Sequence, residues 1–130
     1  MRLLLDTHVA LRATLTSGDL KEQERSAIRD AAVVVVSVVT LWEIAIKFPL
    51  QRGSPNDMPV SGREALSIFR DAQYTILPVT AAHAAAIDDL PLLHGDPFDR
   101  MLVAQARAEG MTLLTRDARL RGYGGFVTVV

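Results

Sequence analysis

The chain contains no cysteine among its 130 residues, which excludes disulfide bonds and metal sites built on thiolates. It also lacks an excess of one charge, since 14 basic and 15 acidic side chains give a formal net charge of −1. Proteins that coat nucleic acids carry an obvious basic excess, so this balance argues against that class. It leaves open a nucleic acid bound at one small site.

Long hydrophobic runs are missing as well. The longest apolar stretch, AAVVVVSVVTLW, ends before Glu43 and already contains Ser37 and Thr40, so it is too short and too polar to span a bilayer. Asp6 interrupts the N-terminal run after three leucines, which is not the pattern of a signal-peptide core. We therefore expect a soluble, cytoplasmic protein.

Length and composition predict a single folded domain over residues 1–130. A chain of this size buries roughly two thirds of its unfolded surface, which is enough for a hydrophobic core. Apolar residues make up 49% of the chain, as in globular proteins and unlike disordered ones. The sequence contains no internal repeat, low-complexity tract or domain linker.

Five short apolar runs without alternation predict strands that are buried on both faces, as in a parallel sheet. The runs are RLLL (2–5), VVVV (33–36), YTIL (74–77), MTLL (111–114) and FVTVV (126–130). Helical patterns lie between them at 18–32, 61–72 and 97–110, and the last opens with Pro97 and closes with Gly110. This alternation predicts an α/β fold with a parallel sheet flanked by helices on both faces.

Four acidic residues are expected to meet at the carboxyl edge of that sheet, where such folds place their chemistry. Asp6 directly follows the first strand, and Asp117 follows the run MTLL. Asp99 lies in the first turn of the helix before MTLL, and this turn lies at the same edge because the helix runs antiparallel to the strands. Glu43 lies in the helix that leaves this edge after VVVV.

Each of these acids also has a purely structural interpretation. Asp6 is a preferred residue type for capping the helix that follows it, and Asp117 fits a turn or cap. Glu43 stands among apolar residues, so it needs a partner or a cation. Lys47, four residues on, would be such a partner in the favoured orientation.

The stretch HGDPFDR places two aspartates three residues apart, and the sequence assigns them different roles. Pro97 suits the first helical position, which makes Asp96 the N-cap. A residue before proline is pushed out of the helical region, as a cap requires. Asp99 then stands third in the helix, where an acid suits the helix dipole, and its carboxylate remains free for a site.

Clustered carboxylates repel one another, and some would protonate unless a cation lay between them. Oxygen ligands select hard cations, which predicts Mg²⁺ or Mn²⁺. Zinc is not expected, because His8, His83 and His94 are widely separated in a chain without cysteine. His8 and His94 could lie near the site, but surface or capping roles are expected for them. A magnesium ion held by carboxylates activates water and stabilises a phosphate-centred transition state, which predicts phosphodiester hydrolysis.

Four stretches that run in order along nearly the whole chain resemble those of PIN-domain proteins, above all the VapC-type toxins of bacterial toxin–antitoxin pairs. They are LLLDTH, SVVTLWEIAIK, LPLLHGDPFDRMLVAQA and LLTRD. The resemblance implies a five-stranded parallel sheet with flanking helices and a metal-dependent ribonuclease that cuts single-stranded or looped RNA. It also implies a homodimer and a cognate antitoxin whose C-terminal segment covers the active site.

The resemblance also implies a set of site residues. It maps catalytic metal ligands onto Asp6, Glu43, Asp99 and Asp117, with the hydroxyls of Thr7 and Thr115 near the metal. Of four arginines that lie close to these acids in sequence, Arg100 and Arg116 are candidate contacts for RNA phosphates, although solvated surface charges are equally plausible. The loop 52–62, rich in proline and glycine, lies in the Pro-rich stretch 50–62, where a variable loop could alter substrate choice.

Two other functions remain open at this point. A phosphoacceptor signalling domain also places aspartates and Mg²⁺ at strand ends, but it needs an acid pair after the first strand and a lysine after the last strands. Here only Asp6 follows the first strand, and the two lysines, Lys21 and Lys47, lie in the first half. A non-catalytic binding module would not need four clustered acids.

Overall fold

The computed structural model describes residues 1–15, 19–55 and 57–130. One five-stranded, all-parallel sheet runs in the order β3-β2-β1-β4-β5. Its strands are β1 (Arg2–Leu5), β2 (Val33–Ser37), β3 (Thr75–Leu77), β4 (Thr112–Thr115) and β5 (Val127–Val129). The predicted parallel α/β fold is therefore confirmed.

Helices connect these strands in the described parts of the chain. They are α1 (Thr7–Leu15), α2 (Glu22–Asp30), α3 (Val38–Lys47), α4 (Gly62–Asp71), α5 (Ala81–Ala86) and α6 (Pro97–Glu109). Short 3-10 turns follow α3 at Phe48–Leu50, α5 at Ile87–Asp89 and β4 at Ala118–Tyr123. None of the described helices is long and apolar enough to cross a membrane.

The helix predicted over 18–32 is shorter in the structure, where α2 covers Glu22–Asp30 and Gly18 lies outside the described residues. The predicted loop 52–62 contains no helix or strand in its described residues before Gly62, which opens α4 behind the N-cap Ser61. Ser61 and Glu64 form a reciprocal capping box there, which explains why the loop ends at this point.

The hydrophobic core lies on both faces of the sheet. Leu4 of β1 belongs to one buried cluster with α6 residues such as Leu102, whereas Leu3 and Leu5 belong to another with Phe69 of α4. Successive side chains of a strand point to opposite faces, so a strand buried on both faces must be apolar throughout. This is why the runs lack alternation.

The strand order places the ends of β1 and β4 side by side. From β1 the chain moves outward to β2 and β3, then returns to form β4 on the other side of β1. Leu5 pairs with Leu114, and the amide of Asp6 donates to the carbonyl of Leu114 at 3.1 Å. This reversal of direction creates the crevice in which open α/β sheets bind ligands.

Candidate functional site

A cleft of about 310 Å³ opens at the carboxyl edge of the sheet, where β1 and β4 end. We call it the acidic cleft, because it is lined by five carboxylates: Asp6, Glu43, Asp96, Asp99 and Asp117. The other lining residues are Thr7 and five basic side chains: His8, Arg12, Lys47, Arg116 and Arg119. The structure thus brings together the four acids that were expected to converge from separate parts of the chain.

Asp6 follows β1 directly and is almost fully buried, at 7% exposure. Its Oδ1 accepts a hydrogen bond from the amide of Val9 at 3.1 Å, so it caps α1. Its Oδ2 accepts a hydrogen bond from the hydroxyl of Thr115 at 2.6 Å. Burial raises the pKa of Asp6, and the carboxylate of Glu43 adds to this, although the bond from Thr115 acts in the opposite direction.

Glu43 projects from α3 and is 4% exposed. Thr7 donates its hydroxyl to Oε1 at 2.6 Å, and the ammonium of Lys47 lies 2.6 Å from Oε2. The ion pair offered as the structural interpretation of Glu43 is therefore present, with Thr7 as a second partner. Burial lowers the pKa of Lys47, but the bond to Glu43 and the nearby Asp99 outweigh this and raise it above its ordinary value.

Asp99 stands in the first turn of α6, and its Oδ2 lies 2.8 Å from Nε2 of His94. Burial raises the pKa of Asp99 to about 6. The hydrogen bond to His94 opposes this rise, whereas the negative charges of Asp96, Asp6 and Glu43 contribute to it. A neighbouring positive charge would stabilise the ionised form of an acid in this environment.

Asp117 caps the 3-10 turn after β4 and accepts the amide of Arg119 at 3.0 Å. The guanidinium of Arg119 holds both of its oxygens, at 3.0 and 2.8 Å. These hydrogen bonds from Arg119 hold the pKa of Asp117 below its ordinary value. The amide of Asp117 in turn donates to the hydroxyl of Thr115 at 3.0 Å, which links it to Asp6.

Asp96 is the N-cap of α6, with an extended backbone before Pro97. Its Oδ1 accepts the amides of Phe98 at 2.8 Å and Asp99 at 3.2 Å. One oxygen of Asp96 therefore caps the start of the helix, and both amides that it accepts belong to the turn that carries Asp99.

Comparison with known proteins identifies the family of this chain. The sequence model described as the PIN domain matches residues 3–125. This chain belongs to the PIN domain family. A comparison with curated proteins finds no match.

Several solved structures are similar to this PIN domain over nearly its whole length. VapBC2 from Rickettsia felis bound to a fragment of promoter DNA has a TM-score of 0.69 at 15% identity, covering 100% of this chain and 98% of that chain. DNA-bound VapBC from Salmonella typhimurium has a TM-score of 0.66 at 13% identity, covering 100% and 97%. FitAB bound to an IR36 DNA fragment has a TM-score of 0.65 at 22% identity, covering 98% and 93%. At these identities the likeness shows the fold.

His94 has a closer relation to the acids of this PIN domain than a surface or capping role would give. Its imidazole is 8% exposed, and Nε2 lies 3.7 Å from Oδ2 of Asp117 as well as 2.8 Å from Asp99. Single donor atoms of His94, Asp99 and Asp117 all lie within 4.8 Å of one another. A search for paired histidine spacings misses this residue; its place five residues before Asp99 was the available signal.

The two arginines suggested as RNA contacts have other partners. Arg100 is buried, and its Nη1 donates to the carbonyl of Pro91 at 2.9 Å and lies 3.2 Å from the hydroxyl of Tyr123. Arg116 lines the acidic cleft, but it binds the buried carboxylate of Glu24 through Nε at 3.1 Å and Nη2 at 2.5 Å. Arg100 therefore serves packing, and Arg116 anchors α2 to the end of β4.

Other cations of the acidic cleft are better placed to meet a phosphate. Arg12 and Arg119 both line it, from α1 and from the turn after β4. Arg119 is engaged with Asp117, but its side chain is 68% exposed. Sequence proximity to the acids pointed to Arg119 together with three other arginines, and Arg12 lay too far from any acid in sequence to be considered.

The donor set of the acidic cleft suits a hard divalent cation. Asp6, Asp99 and Asp117 contribute carboxylates from three different elements, and carboxylate oxygens are the ligands that Mg²⁺ and Mn²⁺ prefer. Two of these groups, Asp6 and Asp99, have raised pKa values because they are buried beside other negative charges. A cation between them would favour their ionised forms.

Proposed function

We propose that this PIN domain is a metal-dependent endoribonuclease and acts as the toxin of a type II toxin–antitoxin system. RNA phosphodiester bonds would be hydrolysed in the acidic cleft, at the site formed by Asp6, Glu43, Asp99 and Asp117. The observation that carries this proposal is the convergence of these four acids, from separate parts of the chain, at the switch point of the sheet. Capping accounts for Asp6 and Asp117 singly, but it gives no reason for them to meet Asp99 and Glu43.

Mg²⁺ or Mn²⁺ would be the cofactor, held by Asp6, Asp99 and Asp117. Such an ion activates a bound water at neutral pH and neutralises charge that develops on a phosphate. The chain itself fixes the ligands: Thr115 holds Oδ2 of Asp6, His94 holds Oδ2 of Asp99, and Arg119 holds Asp117. Ligands locked by such contacts lose little freedom when a cation binds.

The basic residues of the acidic cleft would orient the RNA. Arg12 and Arg119 offer guanidinium groups that match the geometry of a phosphate. These two arginines take the role that the sequence had suggested for Arg100 and Arg116. The bound RNA would be a single-stranded or looped segment, as the resemblance to VapC-type toxins implies.

An antitoxin is proposed as the partner, and a homodimer as the active assembly. Solved structures of similar fold are described as VapBC and FitAB bound to DNA and as a toxin–antitoxin complex from Klebsiella pneumoniae. A basic C-terminal segment of the antitoxin would be attracted to the five carboxylates of the acidic cleft. We place both proteins in the cytoplasm, where the RNA substrate is found.

Expression of the protein in a bacterial host tests this function. We expect growth arrest accompanied by cleavage of cellular RNA, and relief of both when the cognate antitoxin is co-expressed. Asp6→Asn and Asp117→Asn should be harmless at equal protein levels, because each removes a carboxylate from the proposed metal site. Growth arrest by Asp6→Asn as strong as that by the wild type would mean that toxicity has another cause.

A further inference from the structure

Glu43 is paired with Lys47, the lysine that lines the acidic cleft, and both of its carboxylate oxygens accept hydrogen bonds from side chains. Oε1 accepts the hydroxyl of Thr7 at 2.6 Å, and Oε2 accepts the ammonium of Lys47 at 2.6 Å. The side chain of Glu43 is only 6% exposed, so it has little freedom to turn towards another ligand. Thr7 is itself held by Thr40, whose hydroxyl lies 3.1 Å away.

Resting on the proposed nuclease function, we propose that Lys47 is a catalytic residue whose ammonium contacts the reacting phosphate and takes the place of a second metal ion. The acidic cleft then binds one divalent cation, through Asp6, Asp99 and Asp117. Glu43 positions Lys47 and is not a ligand of that cation.

The location of Lys47 suits a contact with substrate. Its ammonium lines the acidic cleft, and its side chain is 40% exposed while its partner Glu43 is buried. An ammonium has three donors and Glu43 takes one of them, which leaves donors for phosphate oxygens. The ring of Phe98, 5.3 Å below the nitrogen, fixes the position of the side chain from a second direction.

The electrostatics of the acidic cleft favour a cation beside an entering phosphate. An RNA phosphate meets five carboxylates there, and two of the basic side chains, Arg116 and Arg119, are already paired with Glu24 and Asp117. Two-metal nucleases place a second ion beside the phosphate to stabilise the attacking and leaving oxygens. The ammonium of Lys47 would supply positive charge beside the phosphate, where a second metal ion would need further carboxylates as ligands. It would neither gain nor lose a proton in the reaction.

The purified full-length chain tests the proposal by two measurements. The first is the number of Mn²⁺ ions bound per chain and their Kd, from titration calorimetry with Mn²⁺ alone. The second is the rate of RNA cleavage in a single turnover at saturating Mn²⁺. The variants are Glu43→Gln, Lys47→Met and Lys47→Arg. Lys21→Met is the matched control, because Lys21 is the only other lysine of the chain and lies outside the acidic cleft.

The wild type is expected to bind one Mn²⁺ per chain. Glu43→Gln and Lys47→Met should keep that site with a Kd changed less than about threefold, since neither removes a metal ligand; loss of a ligand or its support typically costs about 10–100-fold. Lys47→Met should cleave RNA about 100-fold more slowly, as when a donor to a developing charge is removed. Lys47→Arg should recover part of this loss, and Lys21→Met should match the wild type.

Three results would overturn the proposal. They are two Mn²⁺ ions bound per wild-type chain, a tenfold or greater loss of Mn²⁺ affinity in Glu43→Gln, or wild-type cleavage by Lys47→Met. Failure of the proposed nuclease function gives a different result, because the wild type would then not cleave RNA at all. The number of Mn²⁺ ions bound by the wild type and the Mn²⁺ affinity of Glu43→Gln would still show whether Glu43 is a ligand.

Discussion

Single aspartates of the acidic cleft serve local structure and line the site at the same time. Asp6 accepts the amide of Val9, and Asp117 accepts the amide of Arg119, so each caps the helix or turn that follows it. The second oxygen of each accepts a hydrogen bond from a side chain, which is Thr115 for Asp6 and Arg119 for Asp117. Capping therefore does not keep these two carboxylates out of the acidic cleft, which both of them line.

We predict that Asp96 and Asp99 divide these two tasks between them. Asp96→Ala removes the acceptor for two amides of α6, so it should destabilise the fold by about 1 kcal/mol, or about 4 °C in melting temperature. We expect this variant to keep much of its metal-dependent cleavage. Asp99→Asn should weaken Mg²⁺ binding and abolish cleavage. An inactive but stable Asp96→Ala, with an active but unstable Asp99→Asn, would mean that the two roles are reversed.

The raised pKa of Asp99 predicts a pH dependence of stability. Burial raises this pKa from 3.8 to about 6 in the folded protein. Between these two pH values the folded state holds a proton that the unfolded state has released. The contribution of Asp99 to the free energy of unfolding therefore falls as the pH rises from 3.8 to about 6, and it is lowest above that range. Without divalent cations, Asp99→Asn should therefore be more stable than the wild type at pH 7 and above, by about 1–2 kcal/mol after solvent screening.

Urea unfolding of both proteins in EDTA, at about pH 4.5 and about pH 7.5, measures this difference. The advantage of Asp99→Asn should shrink towards zero at the lower pH, where the wild-type carboxyl is protonated in the fold. An advantage of equal size at both values would show that charge repulsion at Asp99 is not its cause.

At the scale of elements, the close packing of α3 and α4 holds Glu43 and Lys47 in place. A Cβ added at Gly62 would lie 2.8 Å from the Cβ of Ala45 and 3.3 Å from its Cα. Gly62→Ala should therefore destabilise the protein by about 1–3 kcal/mol through overpacking, even though alanine is the better helix former. Chemical denaturation measures the loss. Gly125→Ala, where the added Cβ meets nothing within 4 Å, is the control and should stay within about 0.5 kcal/mol.

A stabilising or neutral Gly62→Ala would mean that α3 and α4 are not held this closely in solution. The added methyl group meets the Cβ and backbone of Ala45, not the end of a flexible side chain. Relief of the contact would therefore require one helix to move.

The elements themselves could be predicted well from the sequence. The first predicted run, 2–5, coincides with β1, because strands buried on both faces are apolar throughout. The fourth is shifted by one residue, since the amide of Met111 still closes α6 by donating to Ala106. β4 consequently extends to Thr115, which brings its hydroxyl to Asp6. Helix α5 has only six residues and no apolar stripe, so no pattern indicated it.

The site was predictable at the level of topology and not at the level of contacts. Parallel strand ends meet at one edge, which was sufficient to expect the four acids together. The partners of those acids depend on the path of loops and on side-chain directions. His94 reaches Asp99 from the loop before α6, and Arg100 turns inward to the carbonyl of Pro91. No spacing rule contains this information.

At the scale of the whole molecule, the near balance of charge that gives a formal net charge of −1 is repeated at the site. Five carboxylates and five basic side chains line the acidic cleft. Two of the bases, Lys47 and Arg119, are paired with its acids, and Arg116 is paired with Glu24. A divalent cation bound to the acids would make this surface more favourable for a polyanionic substrate.

We propose that carboxylates of the acidic cleft hold a divalent cation that RNA hydrolysis requires. The most direct test is the cleavage rate of a labelled, structured RNA by purified protein stripped with EDTA, measured as Mg²⁺ or Mn²⁺ is added back. We expect no cleavage without a cation, recovery on its addition, and rates at least about 100-fold lower for folded Asp6→Asn and Asp117→Asn, since such ligands contribute several kcal/mol. Cleavage undiminished by complete chelation, or wild-type rates in Asp6→Asn, would show that RNA hydrolysis does not depend on a cation held by these carboxylates.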